Sequence, residues 1–432
     1  MDRRQMLVQR AREFFGDRLD DVLYLVQKDR QDLRGWQEPA HVRAAVRRAV
    51  REEGGGVAQM TEVTVAQDTI TDVTQVFFEF GRGAAEPDGG QQRETIGQIL
   101  ERGTSALQKV TRNTFDLTNE ETFGLEAILL LYGRPSLLIS QGRLASVPPF
   151  WNLIEDQRED IEVAQRGVGR IEMFGHPEFD WAGTGFLVSD NILLTTRRFA
   201  ELFAENKDGR WQFRPGISAW MDYRSGYQHV SNAGFRVRSV FGVHPNYDLA
   251  LLEVEGPQIN GSAPIPLSLA ATPPPNLNGR PVYVIGFPVR DARRNESEAV
   301  ARIFRDVYNV KRVQPGVLRG EDNAFNIRFL RHDCAPLGQN AGAPIIDLET
   351  NLVLGLQLTG RYLEQSTAVP LYTLRDDPLF KSANIPFTEG TRQEETQRLV
   401  SQVERLARTR AFTEVRNFIE NLHQRTFGRF ER

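Results

Sequence analysis

A chain of 432 residues, 25% charged and 40% hydrophobic, is too long for one ordinary core and has the balance of a globular protein of two or three domains. Its net charge of −4 supplies no field that would draw nucleic acid or an anionic membrane. The single cysteine, Cys334, excludes an intrachain disulfide and points to a reducing, cytoplasmic setting. The first residues, Met1 to Gln5, lead into mixed charge without an apolar core, so no signal peptide is expected. The longest apolar run, Ala127 to Tyr132, is far too short to cross a bilayer.

Leu7, Ala11, Phe14 and Phe15, then Leu19, Val22, Leu23 and Val26, recur at helical spacing and predict a helix over 3–29, with a break at Gly16. Pro39 opens a second helix that carries arginines on its outer face and stops at Gly54-Gly55-Gly56. Residues 1–56 are therefore expected to be a helical region. Valine and threonine enrichment over 57–80 predicts strands, 84–92 a loop and 93–111 a helix. Thr118 with Glu121 forms a capping box for a helix ending before Gly133-Arg134-Pro135, and Ser136 to Ser140 reads as a short strand. Residues 57–145 thus read as a small α/β region. Pro148-Pro149 opens a further helix near 150–164.

Beyond it the chain is rich in short strands. Gly183 to Val188 and Ile192 to Thr195 flank the turn Ser189-Asp190-Asn191, which predicts a hairpin. Asp248 to Val254 is another strand. Ala263 to Pro281, with Pro273-Pro274-Pro275, reads as a connection, and Pro281 to Pro288 opens a second set of strands. Later strands are expected at Ile345-Ile346, Val353 to Leu356 and Ala368 to Leu371. After 388 the pattern changes. Thr391 with Glu394 caps a helix, and apolar residues from Leu399 to Leu422 predict two C-terminal helices over 389–432.

Three stretches carry a resemblance: Leu193-Leu194-Thr195-Thr196-Arg197-Arg198-Phe199, Asp248-Leu249-Ala250-Leu251-Leu252, and Pro336-Leu337-Gly338-Gln339-Asn340-Ala341-Gly342-Ala343-Pro344. Over about residues 128–388 the chain resembles intracellular bacterial trypsin-like serine peptidases that carry extra N-terminal modules. The resemblance implies a mainly β domain at 146–388, a double six-stranded β-barrel of chymotrypsin fold. It also implies a site with substitutions. Arg198 stands where the family has its histidine base, and Ala341 where it has its serine nucleophile. Gln339 replaces the oxyanion-hole glycine, and Asp248 matches the orienting carboxylate. A guanidinium does not accept a proton and a methyl group does not attack a carbonyl.

The resemblance therefore predicts a pseudoprotease: a catalytically inactive homologue acting as a protein-binding, regulatory or scaffold module. Two alternatives stand beside it, an active endopeptidase with a non-standard site and a structural component of a multi-protein assembly. The expected partner is a protein or peptide, with homo- or hetero-oligomers open and no nucleic acid or membrane. Asp248, expected to be buried, needs a partner, and Arg198 is the candidate. Ala335, Leu358, Thr359 and Gly360 are expected to line a peptide cleft, with added-strand pairing along Leu358 to Gly360. Cys334 with His332 is the one candidate replacement nucleophile and base, though a lone buried cysteine usually acts as a small hydrophobe. His244 reads as a loop histidine. No zinc-ligand spacing or phosphate-binding glycine motif is present, so no metal or cofactor is expected.

Overall fold

The computed structural model describes residues 3–35, 96–114, 116–140, 142–144, 147–148, 151–223, 234–255, 264–288, 310–324, 327–334, 340–359 and 366–389. The helix expected from Pro39, the strands expected in 57–80 and the helices expected after 389 lie outside these residues.

The chain begins with helices α1 (Arg3–Phe15) and α2 (Leu19–Gly35), separated at Gly16 by a single 3₁₀ turn. They pack with α3 (Ile96–Thr111) and α4 (Asn119–Ile128). Leu7, Ala11, Leu100, Leu107, Leu125 and Ile128 form the dry centre of this bundle. α3 and α4 cross where Gly103 meets Gly124. A Cβ on Gly103 would lie 2.5 Å from the Gly124 carbonyl, so the two backbones approach as only glycine allows. The expected capping box is present. Glu121 N–H donates to Thr118 Oγ1 at 3.1 Å, and Thr118 N–H donates to Glu121 Oε2 at 2.9 Å. Burial would raise the Glu121 pKa, but hydrogen bonds from Lys109, the Thr118 N–H and Ser105 outweigh it and hold the carboxyl at about 2.

α4 runs through a π turn, Leu129–Gly133, into strand β1 (Leu137–Ser140), which pairs with β2 (Arg143–Leu144). The helix expected near 150–164 is two short ones, α5 (Asn152–Asp156) and α6 (Arg158–Ala164).

Two barrels follow. In the first, strands β3 (Val168–Phe174), β4 (Trp181–Leu187), β5 (Ile192–Thr195), β8 (Ser218–Asp222), β9 (Gly234–Val243) and β10 (Ala250–Val254) close in the order β10-β5-β4-β3-β8-β9. Between β5 and β8 lie α7 (Arg197–Phe203) and a small hairpin of β6 (Ala204–Lys207) and β7 (Arg210–Phe213). Among the described residues, the connection to the second barrel holds the short β11 (Leu269–Ala270). The second barrel contains β12 (Pro281–Gly286), β13 (Arg312–Ala324), β14 (Ile327–His332), β15 (Pro344–Asp347), β16 (Val353–Thr359) and β17 (Ser366–Pro370). It runs β12-β15-β16-β17-β14-β13 and closes through β12–β13 pairing. The chain then passes through α8 (Pro378–Ser382) to β18 (Phe387–Thr388).

Strands buried on both faces read as continuous apolar runs. In β5, Leu193 points into the first barrel while Ile192 and Leu194 point to the core between the barrels. In β12, Val282 and Val284 fill the second barrel, and Tyr283 and Ile285 face the same shared core. The sheet of the second barrel also extends outward, because β1 pairs with β13 (Leu137 with Val313, Leu138 with Arg312).

Candidate active site

Strand β5 positions the first group. Thr195 Oγ1 donates to the Thr184 carbonyl at 2.8 Å, fixing the strand end. The chain turns at Thr196 into α7, whose second residue is Arg198. Asp248 precedes β10, which pairs with β5 in register Ala250 with Thr195, so the two meet across one edge. The Arg198 N–H donates to Asp248 Oδ1 at 3.0 Å, and Arg198 Nε lies 3.4 Å from Asp248 Oδ2. The expected ion pair is there. The expected burial is not: the side chains are 38% and 32% exposed, because the pair sits at the barrel rim rather than inside it.

Arg197 braces the loop that carries Asp248. It donates to the carbonyls of His244, Pro245 (3.0 Å) and Tyr247 (2.8 Å). His244 is the loop histidine expected. Its Nδ1 accepts the N–H groups of Asn246 (3.1 Å) and Tyr247 (3.0 Å), which assigns the proton to Nε2, 3.2 Å from Asp377 Oδ2. Burial holds this imidazole below its usual pKa against the pull of Asp377. Both ring nitrogens are thus engaged in structure.

The second barrel brings the third group. Ala341 is 2% exposed, in the turn before β15. Gly342 makes that turn possible with φ +82°, and a Cβ there would lie 2.0 Å from the Thr184 carbonyl. The Ala341 turn is therefore pressed against β4 and against Thr195, three residues before Arg198. Gly342 N–H donates to the Gln357 carbonyl at 2.8 Å and Gln357 N–H to the Ala343 carbonyl at 2.9 Å, so β16 backs the turn. Asn340 is also buried, and its amide donates to Gln314 Oε1.

The cleft residues are placed in part. Leu358 is buried at the end of β16 and Thr359 is exposed. Ala335, Gln339 and Gly360 lie outside the described residues. One contact was not foreseen. Arg198 Nη2 donates to the Leu358 carbonyl, so the arginine spans from the first barrel to the second.

The alternative nucleophile does not hold together. Cys334 is buried, and burial followed by the nearby Asp333 charge pushes its thiol well above the ordinary value. His332 Nδ1 accepts the Cys334 N–H at 3.2 Å, so it bonds the backbone and not the sulfur. Burial lowers the His332 pKa to about 4 against the opposing pull of Asp333 and of the nearby Gln357 side chain.

Beside them, Asp333 receives Arg134 Nε (2.9 Å) and Nη2 (2.7 Å), Arg319 Nε (2.9 Å) and Nη2 (2.6 Å), and the Val317 N–H (2.8 Å). Sequence reading missed this cluster. Arg134 looked like a helix-end residue between Gly133 and Pro135, and nothing in its spacing announces a partner 199 residues away. Among the described residues no group of His, Cys, Asp or Glu is arranged to hold a metal, and no helix is long and apolar enough to cross a membrane.

Residues 183–356 match the family described as trypsin-like peptidase domain. Similar solved structures include the Rv3671c protease from M. tuberculosis in its active form, 17% identical. That match covers 60% of this chain and 93% of that one, with a TM-score of 0.36. A serine-to-alanine mutant of Rv3671c from M. tuberculosis H37Rv, in an inactive form, is also 17% identical. It covers 56% of this chain and 98% of that one, with a TM-score of 0.35. No curated protein matches the chain.

Proposed function

We propose that this trypsin-like fold does not cleave peptide bonds and works by binding a protein or peptide partner, as a regulatory or scaffold module. One observation carries the reading. The group paired with Asp248 at the barrel rim is the Arg198 guanidinium, which is always protonated and has no lone pair to receive a hydroxyl proton. The residue on the facing turn, Ala341, ends in a methyl group. Losing a nucleophile costs about 10⁶-fold in rate, and losing the base as well adds little because the members act as a unit. The buried, neutral Cys334 thiol offers no substitute.

A fluorophosphonate probe tests this directly. The purified chain should remain unlabelled, and fluorescein-labelled casein should stay intact over days. Ala341→Ser alone should also stay unlabelled, since Arg198 does not activate the new hydroxyl. Labelling of the unmodified chain, with contaminating peptidases excluded, removes the proposal.

A further inference from the structure

Towards its C-terminal end, strand β16 has a residue that β17 leaves out. Gly355, Leu356, Gln357 and Thr359 each have a partner on β17, but the register shifts between Gln357 and Thr359, and Leu358 has none. Gln357 spends its backbone N–H and carbonyl on the turn at Gly342 and Ala343. A bulge of this kind turns one carbonyl away from the ladder, and such a carbonyl is an open acceptor for an added strand. Here it is occupied by the chain itself, through Arg198 Nη2.

Three contacts hold the arginine in that place. Its own N–H is fixed to Asp248 Oδ1 at 3.0 Å, its Nε faces Asp248 Oδ2 at 3.4 Å, and its guanidinium lies 5.7 Å from the Phe199 ring centre. The side chain is still 38% exposed, so displacing it requires no opening of either barrel core.

We propose that Arg198 is an intramolecular strap that closes the peptide cleft, and that an extended polypeptide pairs with β16 only when the arginine leaves the Leu358 carbonyl. The proposal rests on the reading of the fold as a binding module. It assigns to the position opposite Asp248 a role in gating rather than in chemistry. The incoming strand brings a backbone N–H to the carbonyl that Arg198 vacates, while Asp248 keeps the released guanidinium nearby.

Fluorescein-labelled casein, an unstructured polyanion, is the probe, read by anisotropy. Arg198→Ala and Arg198→Gln are compared with the unmodified chain and with Arg210→Ala, which removes an exposed arginine of β7. Both Arg198 variants should bind casein about tenfold more tightly than the unmodified chain, the effect of removing one competing charged hydrogen bond. Arg210→Ala should not gain. The expected sign is opposite to simple electrostatics, because losing a cation weakens attraction to a polyanion. Should Arg198→Ala fold poorly, Arg198→Gln keeps the stem and carries the test. Equal affinities across all four proteins, or no binding by any, overturn the strap. Cleavage of the casein by the unmodified chain overturns the binding-module reading itself, so the two failures are distinguishable.

Discussion

Arg198 and Asp248 show how exposure sets the worth of a pair. A buried pair broken from one side costs about 3–5 kcal/mol, whereas an exposed one is worth about 0–1 kcal/mol. With the two side chains 38% and 32% exposed, solvent screens most of the attraction. Arg198→Ala, which removes both this screened pair and the bond to the Leu358 carbonyl, should therefore lower unfolding free energy by about 2 kcal/mol at most, measured by urea titration. His332 is the opposite case. It is wholly buried with a folded pKa of about 4, against an ordinary 6.5. The unfolded chain takes up the proton first as pH falls, so stability drops from pH 6.5 down to about 4 and levels below that. The full effect is about 3 kcal/mol. His332→Gln should flatten the stability slope in that window without abolishing it, because the His244 pKa is also lowered.

The helix crossing at Gly103 and Gly124 fixes the geometry of the N-terminal bundle. Gly103→Ala would place a methyl group 2.5 Å from a backbone carbonyl that has no rotamer by which to withdraw. The variant should lose about 1–3 kcal/mol, seen as a lower melting temperature. Elements of this kind differ in how readily they are read from sequence. β5 and β12 are legible because both faces are buried over most of their length and apolar runs, Ile192 to Leu194 and Val282 to Ile285, fill them. The capping box of α4 is legible because its two polar groups lie three residues apart. β13 is not: it contains Pro315, Gly316 and Gly320, and the register shifts between Leu318 and Glu321, so no alternation survives. The site divides in the same way. Arg198, Asp248 and Ala341 follow from local motifs. The Arg198 contact with Leu358 and the Arg134 cluster depend on residues far apart in the chain, which no window of sequence contains.

At the scale of the molecule, Arg134 joins the helical bundle to the second barrel. Its guanidinium lies 4.0 Å from the Phe14 ring centre of α1 and forms two bonds to Asp333, whose side chain is 3% exposed. Arg134→Ala leaves that carboxylate buried with Arg319 as its remaining cation. About 3 kcal/mol should be lost, and urea unfolding followed by bundle and barrel probes should separate into two transitions. Lys311 ties the two barrels to each other, donating to the carbonyls of Gln165 (2.8 Å), just ahead of β3, and Tyr223 (2.7 Å), just after β8, from the root of β13. The pairing of β1 with β13 has a temporal consequence. Ser136, just ahead of β1, waits for Arg312, a partner 176 residues downstream. At roughly 5–20 residues per second, a ribosome needs on the order of ten to forty seconds to supply it. Throughout that interval the nascent chain carries an unsatisfied β edge, and a factor that shields it during translation would protect the newborn protein from self-association before its final third exists.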